Sequence, residues 1–120
     1  MTFSNDKPIY IQMADRLCDE ILADKYQDDD RIPSVREYSV LLEVNTNTAV
    51  KAYEQLAREE IIYNKRGLGY FVSADARDII VRMRRQQLMQ GEMDYFFGQL
   101  RAVGITPDDL RDSYQQFLTK

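Results

Sequence analysis

A chain of 120 residues has room for one domain, or a small domain with an appendage. With 44% hydrophobic and 30% charged residues it reads as globular rather than disordered. It has no histidine and one cysteine, Cys18, which excludes an internal disulfide, a cysteine-based zinc site and the usual acid–base group near neutral pH.

The amino-terminal MTFSNDKPIY lacks a basic segment followed by an apolar one, so it is not expected to be a signal peptide. No apolar run approaches the roughly 18 residues that span a bilayer. The expected location is the cytoplasm. The formal net charge of −4 seems to oppose nucleic acid, but it is unevenly spread. Residues 1–30 carry 8 acids and 3 bases, residues 31–85 carry 7 acids and 10 bases, and residues 86–120 carry 5 acids and 3 bases. The segment sums of −5, +3 and −2 leave a basic middle between acidic ends.

Ile9, Met13, Leu17 and Ile21 recur every four residues with Leu22 beside them, predicting an amphipathic helix over 8–25. Asp6 or Asn5 is a candidate cap, and Pro8 suits its first turn. Tyr26–Ile32 has three consecutive aspartates and no apolar period, and reads as a loop. Ser34–Glu37 spells Ser-x-x-Glu, a capping box that opens a short helix over Val35–Leu42. Its apolar face is Val35, Tyr38, Leu41 and Leu42. After a break at Glu43–Asn45, Asn45 caps a second helix over Thr46–Glu60, with Ala49, Val50, Tyr53, Leu56 and Ala57 on one face. Two short helices so spaced form a helix-turn-helix.

Ile61–Tyr63 and Tyr70–Val72 are β-prone and flank turn residues with two glycines, predicting a hairpin with Lys65 and Arg66 at its tip. A hairpin directly after a helix-turn-helix is a wing. Ser73 or Asp75 starts a helix that extends to about Val103. Its stripe contains Ile79, Met83, Met93, Phe97 and Leu100, broadened by Ile80, Leu88, Met89, Phe96 and Val103. Gly91 and Gly98 each weaken it by about 1 kcal/mol relative to alanine, which allows a break near Gly91. Gly104 suits a helix end. Thr106-Pro107-Asp108-Asp109 opens a last helix with Leu110, Tyr114, Phe117 and Leu118 on its apolar face. The expected fold is mainly α with a small β-hairpin: a winged helix-turn-helix over 1–73 and a helical segment over 74–120.

Ile32-Pro33-Ser34-Val35-Arg36-Glu37, the run from Val44 through Asn45-Thr46-Asn47-Thr48 to Tyr53, and Gly67-Leu68-Gly69-Tyr70-Phe71-Val72 together resemble the winged helix of GntR-family bacterial transcription regulators. Pro8-Ile9-Tyr10-Ile11-Gln12 is similar to the family's first helix, so the resemblance covers about residues 8–73. The Asn-Thr-Asn-Thr form and the short tail look most like the YtrA-like subfamily, whose two carboxy-terminal helices serve dimerisation. Two positions depart from the pattern: Ser39 replaces a usual alanine, and Glu60 stands where a glycine often ends the recognition helix.

The resemblance implies a DNA-binding regulator, most often a repressor, whose recognition helix enters the major groove by its first turn. Asn45, Thr46, Asn47 and Thr48 occupy that turn, where amides and hydroxyls read bases or hold phosphates, although Asn45 and Thr48 also suit plain capping. Arg36 matches the family's DNA-contacting arginine, against the alternative of an ion pair with Glu37 or Glu43. Lys51 lies one turn past Asn47 and suits a phosphate. Lys65 and Arg66 reach DNA from the wing, with Gly67 allowing close approach, and Ser34 both caps and touches phosphate.

The carboxy-terminal stripe needs a partner. Homodimerisation through Ile79, Met83, Met93, Phe96, Phe97, Leu100, Tyr114 and Phe117 is expected, against packing back on the same chain, and matches an inverted-repeat operator. Arg82, Arg84 and Arg85 either flank DNA or pair with acids of the second copy. Tyr95, Phe96 and Phe97 read as core rather than as a ligand pocket, and Cys18 as a small core residue. The expected partners are double-stranded DNA and a second copy of the chain. A small-molecule effector of unspecified identity is compatible, and no cofactor, metal or membrane contact is expected. The competing function is a winged helix that docks on an acidic protein. Enzymatic chemistry has no residues to use.

Overall fold

The computed structural model describes residues 3, 4 and 6–120, which form two compact units, one up to Arg82 and one over Met83–Lys120. In the first, α1 (Ile9–Leu22), α2 (Val35–Leu42) and α3 (Thr46–Arg58) precede an antiparallel hairpin, β1 (Ile62–Lys65) and β2 (Gly69–Val72), and the start of α4 (Ala76–Gln87). Fold class and helix-turn-helix order match the sequence reading. The first unit reaches past residue 73 because Ala76 and Ile80 of α4 are buried in its core.

Helix α1 begins later than expected, with Pro8 at the N-cap and no side-chain cap. Asp6 instead accepts a hydrogen bond from Ser4. Asn5 lies outside the described residues. Met13, Leu17 and Ile21 are buried with Ala14 and Cys18, whereas Ile9, in the first turn, is exposed. The capping box at Ser34 is present in full: Glu37 N donates to Ser34 Oγ and Ser34 N donates to Glu37 Oε1, both at 3.0 Å. Tyr38 and Leu42 are buried and Val35 half-buried, but Leu41 is 59% exposed, because the residue that turns inward beside Tyr38 is Ser39. The Ser39 hydroxyl donates to Arg36 O at 2.8 Å, which satisfies the polar atom at this alanine-like position.

Helix α3 ends at Arg58 with Glu59 as C-cap, and Glu60 turns the chain with φ +63°. Glycine adopts that conformation without the Cβ clash, which accounts for the glycine expected there. Ala49, Ala52, Tyr53 and Leu56 are buried, while Val50 and Ala57 flank them half-buried.

Tyr53 is the hub of this unit. Its ring meets Tyr38 of α2 (centroids 6.0 Å apart) and Tyr70 of β2 edge-on (5.1 Å), and its hydroxyl donates to Pro33 O at 2.5 Å. Tyr38 donates to Glu20 Oε1 at 2.6 Å, tying α2 to α1. Burial above all, and for Tyr38 also the bond to Glu20, pushes both hydroxyls well above the ordinary tyrosine range. The stretch read as a loop over 26–32 also joins the sheet, since Arg31 bridges Phe71 and Ile32 N donates to Tyr70 O at 3.0 Å.

The predicted long helix does not break near Gly91. It widens into a π-helical segment at Leu88–Glu92 and resumes as α5 (Met93–Ala102). Gly104, at φ +78°, follows the end of α5, where Ile105 N donates to Leu100 O at 3.0 Å. A Thr106–Asp109 capping box with Pro107 in the first turn opens α6 (Pro107–Leu118). None of residues 83–120 is buried. Tyr95, Phe96 and Phe97, expected as core, are 73%, 43% and 42% exposed, because α5 and α6 are too few helices to enclose an apolar interior.

Candidate nucleic-acid interface

The start of α3 is built by Asn45. Its Oδ1 accepts from Asn47 N at 2.8 Å, and its carbonyl accepts from Thr48 N and Ala49 N at 3.0 and 3.2 Å. The capping alternative for Asn45 is therefore realised. Thr46 and Asn47 are exposed and Thr48 half-buried, with Ser39 Oγ 3.5 Å from Thr46 Oγ1 across the turn. Tyr53 and its buried neighbours hold one face of α3 in the core, so the opposite face carries Asn47 and Lys51, one turn apart. Arg58 lies further along that face, bonded to Gln55 at 2.9 Å, which the sequence reading left out.

Arg36 is the second residue of α2 and is exposed. The ion-pair alternative does not materialise: among the described residues Arg36 pairs with neither Glu37 nor Glu43. Glu37 is engaged in the capping box, and the bonds to Ser34, with the Arg31 charge beside it, hold its carboxyl below the usual range. In the wing, Lys65 is not in the turn. It ends β1 opposite Gly69, and its Nζ lies 4.5 Å from the Phe71 ring centroid, a cation–π contact. The turn is Arg66-Gly67-Leu68, closed by Leu68 N donating to Lys65 O at 2.8 Å. Gly67 has φ +78° and open space where a side chain would stand.

The residue expected least is Arg31. Its Nε donates to Leu68 O at 3.1 Å and its NH2 lies 3.7 Å from Glu37 Oε1, so it joins the wing turn to the first turn of α2. A partner 37 residues away leaves no local pattern to find it by. Of the expected dimerisation residues, Ile79, Met83, Met93 and Leu100 are half-buried, and Phe96, Phe97, Tyr114 and Phe117 are exposed. Met93, Phe96, Leu110 and Tyr114 line an open apolar groove of about 610 Å³ in the second unit. Among the described residues there is no metal-ligating cluster, and no helix is long and apolar enough to cross a membrane.

Three helices, a capped recognition helix and a basic hairpin define a winged helix-turn-helix of the DNA-binding kind. The chain belongs to the gntR family of bacterial regulatory proteins, whose model matches residues 9–72, and it is a DNA-binding transcriptional regulator, not an enzyme. It is similar to a GntR-family regulator of Bacteroides thetaiotaomicron, with 44% identity, 92% of this chain and 96% of that one covered, and a TM-score of 0.84. It is also similar to the transcriptional repressor YtrA of Bacillus subtilis, 37% identical over 87 residues, 69% of this chain and 67% of YtrA. The DNA-binding domain of AraR, solved in complex with operator ORX1, matches 60% of this chain and 93% of its own at 26% identity and a TM-score of 0.56.

Proposed function

We propose that the chain is a cytoplasmic repressor that binds an inverted-repeat operator as a homodimer. The observation that carries this reading is the second unit, where no residue is buried and ten large apolar side chains, Phe96, Phe97 and Phe117 among them, are exposed. Exposed apolar surface of this extent marks an association site, and a two-fold partner sets two reading heads side by side to meet two half-sites. Asn47, Thr46 and Thr48 face base edges, with Asn45 as cap and contact. Ser34, Arg36, Lys51, Lys65, Arg66 and Gly67 hold the backbone. The repressor mode follows YtrA, and the operator follows the AraR complex.

Four basic contacts per head, eight per dimer, give a slope of log affinity on log salt of about −7. The test is fluorescence anisotropy with the duplex upstream of the chain's own gene, together with sedimentation for the dimer. The expected result is a dimer binding one inverted repeat, with Arg36→Ala losing about 10–100-fold in affinity while the dimer persists. A monomer, or no sequence preference at about 100 mM salt, overturns the reading.

A further inference from the structure

Arg31 stands outside every DNA contact assigned above, yet it touches two of the three elements that carry them, the wing turn and the start of α2. Its backbone bridges Phe71, which lays residues 29–32 along the hairpin: Asp29 N donates to Val72 O at 2.8 Å and Val72 N to Asp30 O at 3.0 Å. From that strand-like edge the side chain crosses β2 to the wing turn, where Nε donates to Leu68 O. Gly69 leaves room for the crossing, since a Cβ at Gly69 would stand 3.1 Å from Nε, closer than an ordinary contact. The far end of the guanidinium faces Glu37 Oε1, the same oxygen that accepts Ser34 N in the capping box. Half-exposed and 3.7 Å long, that ion pair adds little stability. Its planar fork is suited instead to hold two elements in one geometry.

We propose that Arg31 is a positioning residue that braces the wing turn against the start of α2, so that the wing bases and Arg36 meet one DNA duplex in fixed register. The brace rests on the DNA-contact reading of the preceding subsection. Its consequence is thermodynamic coupling: Arg31 contributes to affinity through Lys65 and Arg66, and not by touching DNA.

The test uses the full-length chain and a duplex that it selects from a random-sequence pool. Arg31→Ala is expected to lower affinity about tenfold, and Arg31→Lys, which keeps the charge but has no Nε–H at the Leu68 carbonyl, is expected not to restore it. In a Lys65→Ala/Arg66→Ala background, Arg31→Ala is expected to change affinity less than about twofold, the limit set for non-additivity of a coupled group. Additive losses place Arg31 on the DNA itself and overturn the brace, as does full rescue by lysine or no loss at all. Without DNA, amide hydrogen exchange at Leu68 and Gly69 is expected to speed up in both Arg31 variants. Unchanged exchange also overturns the brace. That arm needs no operator, so a wild-type chain that selects no duplex sinks the DNA reading separately. Should Arg31→Ala not fold, Arg31→Lys carries the same two comparisons.

Discussion

Tyr53 gives the sharpest test of how this unit holds its recognition helix. Tyr53→Phe deletes one oxygen and leaves the rings of Tyr38 and Tyr70 in place. It removes the donor to Pro33 O in a pocket where Tyr53 is 1% exposed, so the carbonyl loses its partner there. Leaving such a group unpaired costs about 1–3 kcal/mol, and about 1.5 kcal/mol is the expected loss, a sizeable share of the roughly 5–15 kcal/mol that holds a domain. Tyr53→Leu also forfeits two aromatic contacts of about 0.5–1.5 kcal/mol each, for a total near 3–4 kcal/mol. Urea unfolding at one chain concentration, with wild type alongside, reads both values, with the midpoint falling and the slope unchanged. Operator affinity should fall with stability in Tyr53→Leu, since the ring carries contacts from α3 to both α2 and the wing. A Tyr53→Phe chain within about 0.3 kcal/mol of wild type would refute the hub assigned to this hydroxyl.

Two further outcomes follow from the same packing. Tyr38 and Tyr53 have their hydroxyls raised above the ordinary tyrosine range, so the unfolded chain releases these protons first; the stability they provide is intact below about pH 10 and lost as pH rises above it. Urea midpoints across the alkaline range should therefore drop in wild type and drop less in Tyr38→Phe/Tyr53→Phe, and an equal drop in both chains counts against this assignment. Glu60→Gly should stabilise the chain by about 0.5–1 kcal/mol by relieving the φ of +63°, read as a melting temperature higher by about 3 °C, whereas Glu60→Ala should bring no such gain.

Much of the local structure was legible because its signals are local. The Ser34–Glu37 box, the Asn45 cap, the helix start at Thr106 and the Gly104 helix end each depend on residues within three or four positions. The capping box at Ser34 placed the start of α2, and turn chemistry placed the hairpin, although Lys65 ended in the strand. The family motifs carried the assignment of Arg36 and the first turn of α3, because they match spacing as well as type. The expected Ile9 and Leu41 contacts failed where periodicity alone was used: a helix-facing pattern names candidates for burial, and the neighbours decide which are covered.

The chain's own order of residues determined the class of protein: capping boxes, helix period and motif spacing are set by covalent neighbours, and these define a winged helix that binds DNA. Tertiary structure decided which of those residues work together. The Tyr53 hydroxyl meets Pro33 across 20 residues, Tyr38 meets Glu20 across 18, and Arg31 meets Leu68 across 37. None of these pairs has a spacing that backbone geometry imposes, since each exists only once packing has closed the loops between its members. The same holds for the apolar side chains of residues 83–120, whose pattern spells a buried face while none of them is buried in the single chain.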